Sequence, residues 1–271
     1  SKWLELKPIA KGLEIKGKLR LIKYLNQNLN RKYSNKILKG AATDVFHPTY
    51  YDPYFLKFLW KTAFVLTVHD LTTEKLQNGE PKTKEILEWK ERLIHRADHI
   101  IAVSENTRKD IIDFYKVNNS KISTAYLASN LLQNNKNEIV EQISLPKQYI
   151  LFLGSRSGYK NFIAFINEVT PLIKKFGISL VLAGGGKLNA NESVILKDLG
   201  ISNMCFLFPD ISDNLLIKIY KEAILFVFPS LYEGFGIPVI EAMECGCPVL
   251  LSNNSSLPEV GGPAAAYFDP K

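Results

Sequence analysis

The stretch ILFVFPSLYEGFGIPVIEAMECGCPVLLSN, residues 224–253, decides the fold. It begins with a continuous apolar run, passes through the loop LYEGFG, enters the helical pattern IPVIEAMEC and ends in a second apolar run, CPVLLSN. Apolar runs that do not alternate with polar residues are typical of strands covered on both faces, as in a parallel sheet. A strand, a helix and a second strand of this kind predict an α/β fold.

The same succession of short apolar strand, turn and helix repeats from about residue 41. We predict strands at residues 44–48, 64–70, 99–104, 121–127, 149–155, 179–185, 203–209, 224–230 and 247–253. Helical patterns such as PKTKEILEWKERLIHRA and ENTRKDIIDFYK lie between them. This alternation predicts doubly wound α/β architecture.

A polar, asparagine-rich stretch at residues 128–148 interrupts the alternation and indicates a linker. We therefore predict a first domain at residues 1–132, a linker at 133–147 and a second domain at 148–271. The first 40 residues are basic and helical in pattern, without a strand to open a doubly wound sheet, and the last residues stop where a further helix is expected. We expect an incomplete first domain and a second domain that lacks its last helices.

The composition, 46% hydrophobic and 23% charged, is that of a globular protein. No apolar run reaches the roughly 18 residues that a membrane-spanning helix needs, and the N-terminus lacks the apolar region of a signal peptide. The three cysteines, Cys205, Cys245 and Cys247, lack metal-ligand spacing, which favours reduced thiols in a cytosolic protein.

The net charge of +7 comes largely from basic residues among the first 40. Two explanations of this charge have equal weight. One is a solvated surface, and the other is attraction to phosphates, anionic lipid head groups or nucleic acid. Nucleic acid is the least supported of these partners, because the sequence carries no recognisable nucleic-acid-binding motif.

Two carboxylates flank the glycine turn of the opening stretch. Glu233 lies in the loop after a predicted strand, where open α/β sheets bind ligands, and Glu241 lies about one turn into the following helix. Gly234 and Gly236 allow a ligand to approach the backbone, and the N–H groups at the helix start favour an anion. Carboxylates accept hydrogen bonds from paired hydroxyls, so this layout suits a nucleotide sugar. The alternative is a surface loop residue and a solvated helix residue.

A second predicted strand end carries cations. The loop in LGSRSGYKNF, residues 153–162, offers Gly154 and Gly158 for backbone approach, with Arg156 and Lys160 as partners for a diphosphate. Two solvated basic residues are the alternative. The glycines at residues 184–186 form either another close-approach loop or a plain turn, since AGGGK does not match a phosphate-binding P-loop.

His69 ends another apolar strand, in TVHD, where it either contacts a ligand or has a structural role. No cluster of residues has good metal-ligand spacing, so we expect no metal.

Taken together, these motifs resemble the retaining glycosyltransferases of family 4, which have the GT-B fold and use nucleotide sugars. Glu233 and Glu241 match the family's E-x7-E motif within EGFGIPVIEAM, followed by GCPV. LGSRSGYKNF resembles the phosphate-binding loop, and SNNSSLPEVGGPAAAYFDP resembles the segment after the second glutamate. DVFHPTYYDPYF, FVLTVHD and ADHIIAVSENTRKDI resemble the later part of the first domain.

The resemblance implies two Rossmann-like domains facing a cleft, and a role for each matching residue. Glu241 is expected to hold the ribose hydroxyls, and Glu233 is expected to contact the transferred sugar. The backbone from Gly234 through Phe235 to Gly236 is expected to contact the sugar and the phosphate. Arg156 and Lys160 are expected to neutralise the diphosphate, Arg156 with less support because its spacing to Lys160 is tight. His69 is expected to touch the donor sugar. The strand and glycine-rich loop that usually open the family's first domain are not found.

The expected function is transfer of a hexose, mannose being one candidate, to an acceptor hydroxyl of a cell-surface polysaccharide or glycolipid. The expected partners are a nucleotide sugar, a saccharide or lipid-linked acceptor and an anionic membrane surface, but no nucleic acid. We expect no cofactor, no metal, and a cytoplasmic location peripheral to the inner face of the membrane. A GT-B nucleotide-sugar epimerase and a non-catalytic nucleotide-binding module are the alternatives.

Overall fold

The computed structural model describes residues 18–40, 43–59, 62–76, 81–134 and 143–271. The helices of these ranges are α1 Lys18–Gly40, α2 Thr72–Lys75, α3 Pro81–Arg96, α4 Glu105–Tyr115, α5 Leu131–Asn134, α6 Phe162–Phe176, α7 Ala190–Asp198, α8 Asp213–Glu222, α9 Ile237–Glu244 and α10 Leu257–Gly261. The strands are β1 Val45–Phe46, β2 Ala63–Val68, β3 His99–Ala102, β4 Ile122–Thr124, β5 Tyr149–Leu153, β6 Ser179–Ala183, β7 Cys205–Phe208, β8 Leu225–Phe228, β9 Val249–Ser252 and β10 Ala266–Phe268.

The strands form two sheets, one in the order β1-β2-β3-β4 and a larger one in the order β10-β9-β8-β5-β6-β7. Neighbouring strands of the larger sheet run parallel. Each of the nine predicted strands is present in shorter form, so the prediction of a parallel α/β fold is confirmed. Strand β10 was not predicted; it has three residues and pairs with β9 at the edge of the larger sheet.

The larger sheet is covered on both faces, which explains why its strands are apolar throughout. On β5, Leu151 packs into a core with buried residues of α8, α9 and α10, whereas Ile150 and Phe152 pack with α6 and α7. Successive side chains of a strand point to opposite faces. The doubly wound arrangement predicted from the sequence is therefore present here.

The chain divides into two compact units, one of residues 1–67 with 79–100 and the other of residues 68–78 with 101–271. In the first unit aromatic rings contribute to the core, and the ring centroid of Phe55 lies 4.8 Å from that of Phe46 and 5.4 Å from that of Phe64. The second unit contains the larger sheet. This division differs from the predicted domain boundaries, which remain a prediction. Residues 135–142 of the predicted linker lie outside the described residues.

Candidate functional site

The larger sheet reverses its direction of growth between β5 and β8. From β5 the chain adds β6 and then β7 on one side, and β8, β9 and β10 then follow on the other side. In open α/β sheets, ligands bind at the carboxyl ends of the strands at such a switch point. Two loops leave this point: residues 154–161 after β5, here called the Lys160 loop, and residues 229–236 after β8, called the Glu233 loop.

The two loops meet through an ion pair. Lys160 Nζ lies 2.6 Å from Glu233 Oε1, with 17% and 12% of the two side chains exposed. The same ammonium lies 4.9 Å from the centroid of the Phe228 ring, at the end of β8. Such a partly desolvated pair is stronger than a surface ion pair, because less water screens it. The structure thus brings together the predicted cation and the first glutamate of the motif.

The backbone of the Glu233 loop is held by two serines that the sequence analysis did not single out. Ser255 Oγ accepts a hydrogen bond from the Glu233 N–H at 3.0 Å. Ser256 Oγ donates to the carbonyl oxygens of Glu233 and Phe235, each at 3.0 Å. Their position in SNNSSLPEV, some 20 residues after the loop, gives no local signal of this contact.

Gly234 is packed against protein backbone. A Cβ atom at this position would lie 1.8 Å from the carbonyl oxygen of His69. The carbonyl oxygen of Gly234 accepts hydrogen bonds from Ser104 Oγ at 2.7 Å and Thr107 Oγ1 at 3.1 Å. His69 therefore lies beside the Glu233 loop, and its backbone explains why residue 234 is a glycine. The expected contact of His69 with the donor sugar stays a prediction.

Phe235 and Gly236 lead from this loop into α9. The Phe235 side chain is buried, and its ring centroid lies 6.1 Å from that of Tyr126. Gly236 is the N-cap of α9 with φ +105°, a conformation that favours glycine, and Pro238 stands in the first turn. Whether their backbone meets a sugar or a phosphate stays a prediction.

Tyr159 of the Lys160 loop is a neutral polar group beside the ion pair. Burial, together with the nearby charges of Glu233 and Asp70, raises the pKa of its hydroxyl to about 12. The hydroxyl is therefore protonated at neutral pH and can donate a hydrogen bond.

Glu241 lies in the second turn of α9 and is partnered by Tyr220 of α8. The Tyr220 hydroxyl donates to Glu241 Oε2 at 3.2 Å. Burial raises the pKa of Glu241, and the charges of Asp213 and Glu244 add to this, while the Tyr220 hydrogen bond opposes it. A carboxylate held this way retains acceptor capacity for ligand hydroxyls.

Arg156 has partners that the sequence analysis did not anticipate. Its side chain is 2% exposed, and its Nε donates to Glu192 Oε2 at 3.1 Å. Its two terminal nitrogens donate to four consecutive carbonyl oxygens, those of residues 184–187. The predicted contact with a diphosphate is untested, but in this structure the donors of Arg156 are directed to protein atoms.

Neither a metal site nor a membrane span is found in the ranges given above. Within those ranges, no group of three or more His, Cys, Asp or Glu side chains could hold a metal ion. Likewise, none of the helices there has the length and apolar character to cross a membrane.

Comparison with known proteins agrees with the site. The family model described as glycosyl transferases group 1 matches residues 133–269, and that described as glycosyltransferase family 4 matches residues 15–130. The chain is 32% identical over 226 residues to the serotype-specific mannosyltransferase WbdA of Escherichia coli, covering 78% of this chain and 28% of the relative. It is 30% identical over 247 residues to the O-antigen chain mannosyltransferase B of Escherichia coli, covering 86% and 63%.

Among solved structures, a sucrose-phosphate synthase from Thermosynechococcus elongatus superposes with a TM-score of 0.69 at 16% identity, covering 93% of this chain and 67% of the synthase. At that identity the likeness shows the fold alone, which is the predicted GT-B class. The chain spans less than two thirds of the length of the mannosyltransferases that it matches. Because both family models match and the E-x7-E motif lies at the switch point, the chain belongs to the group 1 glycosyl transferases of glycosyltransferase family 4.

Proposed function

We propose that this protein transfers a hexose from a nucleoside-diphosphate sugar to an acceptor hydroxyl, with retention of the anomeric configuration. Mannose is the sugar we favour, because the matched relatives are mannosyltransferases. Their names also support an acceptor that is the saccharide chain of a cell-surface polysaccharide. The observation that carries the proposal is the contact between Lys160 and Glu233 at the switch point of the larger sheet.

Lys160 supplies the positive charge that the leaving diphosphate requires. When the bond between the sugar and the diphosphate breaks, the electron pair and the negative charge move to the phosphate oxygens. A cation that is already in place stabilises this charge without reorganisation, which is often the largest catalytic contribution. Lys160 is fixed by Glu233 and lies against the Phe228 ring, so its position is set before a ligand arrives.

Glu233 complements the opposite charge, which develops on the sugar. In the ligand-free site its carboxylate is paired with Lys160. An arriving diphosphate competes for that ammonium, and this releases carboxylate charge toward the oxocarbenium-like sugar. Retention requires the acceptor hydroxyl to enter on the face from which the diphosphate leaves, so a phosphate oxygen is the nearest base for its proton.

Glu241 is proposed to bind the ribose hydroxyls, with Tyr220 fixing its orientation. The test is calorimetric titration with GDP, UDP and ADP in EDTA, using the wild-type protein, Glu241→Ala and the matched control Glu244→Ala, an exposed glutamate on the same helix. We expect one nucleotide to bind the wild type and the control, and Glu241→Ala to weaken its binding about tenfold or more. Absence of binding, or equal losses in both variants, would refute the proposed site. Binding in EDTA would support the proposal that no metal is needed.

A product assay separates transfer from epimerisation. The nucleotide sugar that binds best is incubated with and without a saccharide acceptor. We expect nucleoside diphosphate release to depend on the acceptor and to fall in a Lys160→Met variant. Release of an altered free sugar without any acceptor would instead identify an epimerase.

We further propose that α1 lies on an anionic membrane surface, which would place the protein in the cytoplasm at the inner face of the membrane. Apolar side chains spaced four residues apart are exposed on this helix: Leu29, Tyr33 and Ile37. Exposed lysines accompany them: Lys32, Lys36 and Lys39. Apolar and basic side chains together suit an interfacial helix. Anionic vesicles should sediment the wild type at low salt, but not a variant with these lysines changed to Gln. Failure of the wild type to sediment would overturn the proposal.

A further inference from the structure

We propose that Arg156 is a positioning residue, which anchors the Lys160 loop to the neighbouring glycine loop (residues 184–187) and acts on the donor only through Lys160. The inference rests on the proposed function for its effect on donor binding, but its structural part stands on the contacts of Arg156 alone.

The guanidinium donates hydrogen bonds to five protein acceptors. Nε donates to Glu192, Nη1 to the carbonyl of Gly184, and Nη2 has the carbonyls of Gly185, Gly186 and Lys187 within 2.9–3.2 Å. These acceptors surround a side chain that is 2% exposed. The planar fork of a guanidinium suits several fixed acceptors at once, which an ammonium cannot match.

The glycine loop has the backbone conformation that this arrangement needs. Gly184, Gly185 and Gly186 have φ values of +69°, +70° and +74°, so three consecutive residues adopt the left-handed conformation that favours glycine. A Cβ atom on Gly185 would lie 2.3 Å from the carbonyl oxygen of Gly154 and 3.0 Å from Arg156 Nη1. The three glycines thus let the loop close onto Arg156 and onto the start of the Lys160 loop.

Glu192 fixes the guanidinium from the other side. It is the third residue of α7, and its side chain also accepts from the N–H of Asn189, whose own side chain caps the helix. The carboxylate is therefore bound to the helix end and to Arg156 through the same oxygen, Oε2. The ion pair and the carbonyl contacts of Arg156 join the start of α7, the glycine loop and the Lys160 loop into one hydrogen-bonded group.

This anchoring bears on the site because Lys160 stands four residues after Arg156 in the same loop. Between them, the Tyr159 carbonyl accepts from the N–H of Leu231 in the Glu233 loop. Holding Arg156 therefore restricts the loop on the side of β5, while the Leu231 contact restricts it on the side of β8. Lys160 directly follows the second of these points, Tyr159, in the chain.

The opposing interpretation is that Arg156 is a diphosphate ligand held in reserve by Glu192. The two differ in the sign of one effect. The change Glu192→Gln removes the negative charge but keeps an acceptor oxygen for Arg156 and for the Asn189 N–H. A reserve ligand would be released, and diphosphate binding would tighten. A positioning residue would be held less firmly, and binding would weaken.

The experiment measures amide exchange and nucleotide binding in the wild type, Glu192→Gln, Arg156→Lys and the control Asp198→Asn, an exposed carboxylate on α7. The reporter is the Gly184 N–H, which donates to the Phe208 carbonyl at 2.8 Å. In the ligand-free Arg156→Lys variant we expect its exchange to be about tenfold faster, as for loss of charge-assisted hydrogen bonds. In Glu192→Gln we expect faster exchange and about threefold weaker nucleoside diphosphate binding.

Unchanged exchange in both variants would overturn the anchoring, and tighter binding in Glu192→Gln would overturn the positioning role. If the wild type binds no nucleotide, the proposed function fails, and the exchange data alone still decide whether Arg156 holds the glycine loop.

Discussion

Replacing Gly234 with alanine separates two reasons for a glycine in the motif. The sequence interpretation is that Gly234 lets a ligand approach the backbone, in which case alanine would disturb only the ligand-bound protein. The structure gives a different reason, since the added Cβ would lie 1.8 Å from the His69 carbonyl oxygen and 2.7 Å from the Asp70 Cβ. Alanine should therefore destabilise the protein without any ligand present.

The size of the effect follows from the geometry. Ordinary contact of a Cβ atom begins near 3.4 Å, so the separation from the His69 oxygen is short by about 1.6 Å. The nearest opposing atom, the His69 carbonyl oxygen, belongs to the main chain and cannot rotate away. Overpacking of this kind costs about 1–3 kcal/mol. A shift of the loop also strains the hydrogen bonds that Ser104 and Thr107 donate to the Gly234 carbonyl, each worth about 1 kcal/mol. We expect a loss of about 3 kcal/mol in the free energy of unfolding.

Urea denaturation followed by far-ultraviolet circular dichroism measures this loss. The matched control is Gly246→Ala, where no atom lies within 4 Å of the added Cβ and only the positive φ of +77° is unfavourable. The control should lose about 1–2 kcal/mol. If ligand-free Gly234→Ala unfolds within about 0.5 kcal/mol of the wild type, a difference typical of neutral surface changes, the packing argument is wrong.

Three further predictions concern the neighbouring contacts. The pKa of Glu241 is raised above its ordinary 4.5, so just above that pH the folded protein keeps a proton that the unfolded chain has lost. The free energy of unfolding should therefore fall as the pH rises above 4.5. Urea midpoints measured against pH should show this fall in the wild type and not in Glu241→Gln. Tyr220→Phe removes the donor to Glu241 and should weaken nucleotide binding about threefold to tenfold; unchanged affinity by calorimetry would contradict the orienting role. Glu259→Ala removes the carboxylate that accepts from the first N–H groups of α4 and should cost about 1 kcal/mol; protection of the amides of Glu105 and Asn106 that stays at the wild-type level would count against it.

The fold was predictable because a parallel sheet covered on both faces leaves a strong signal. Runs such as YILFL and LFVF are apolar at every position, as two cores require. The strand β10 left no such signal, since its three residues follow alanines, which are good helix formers, and pair only at the edge of the sheet. A strand so short is defined by its partner and not by its own sequence.

The sequence predicts which loops form the site, but it does not predict which atoms their side chains contact. Strand ends place Lys160 and Glu233 at the same edge of the sheet, and the structure brings them into contact. The direction of the Arg156 side chain depends on acceptors 28 to 36 residues away in sequence. Ser104 reaches Gly234 across 130 residues. No pattern within one loop encodes such contacts, so a basic residue near a phosphate-binding motif could not be assigned as ligand or anchor.

The glycines show why this ambiguity arises. A glycine in a strand-end loop indicates that something lies too close for a side chain, but the sequence does not say whether that is a ligand or the protein itself. At Gly234 and Gly185 the space of a Cβ is occupied by carbonyl oxygens of the chain. At Gly154 and Gly158, both in the Lys160 loop, no atom lies within 4 Å of a Cβ. A phosphate has room to approach the backbone in the open space beside a cation. Gly154 and Gly158 are therefore better placed than Gly234 to let a ligand approach the backbone.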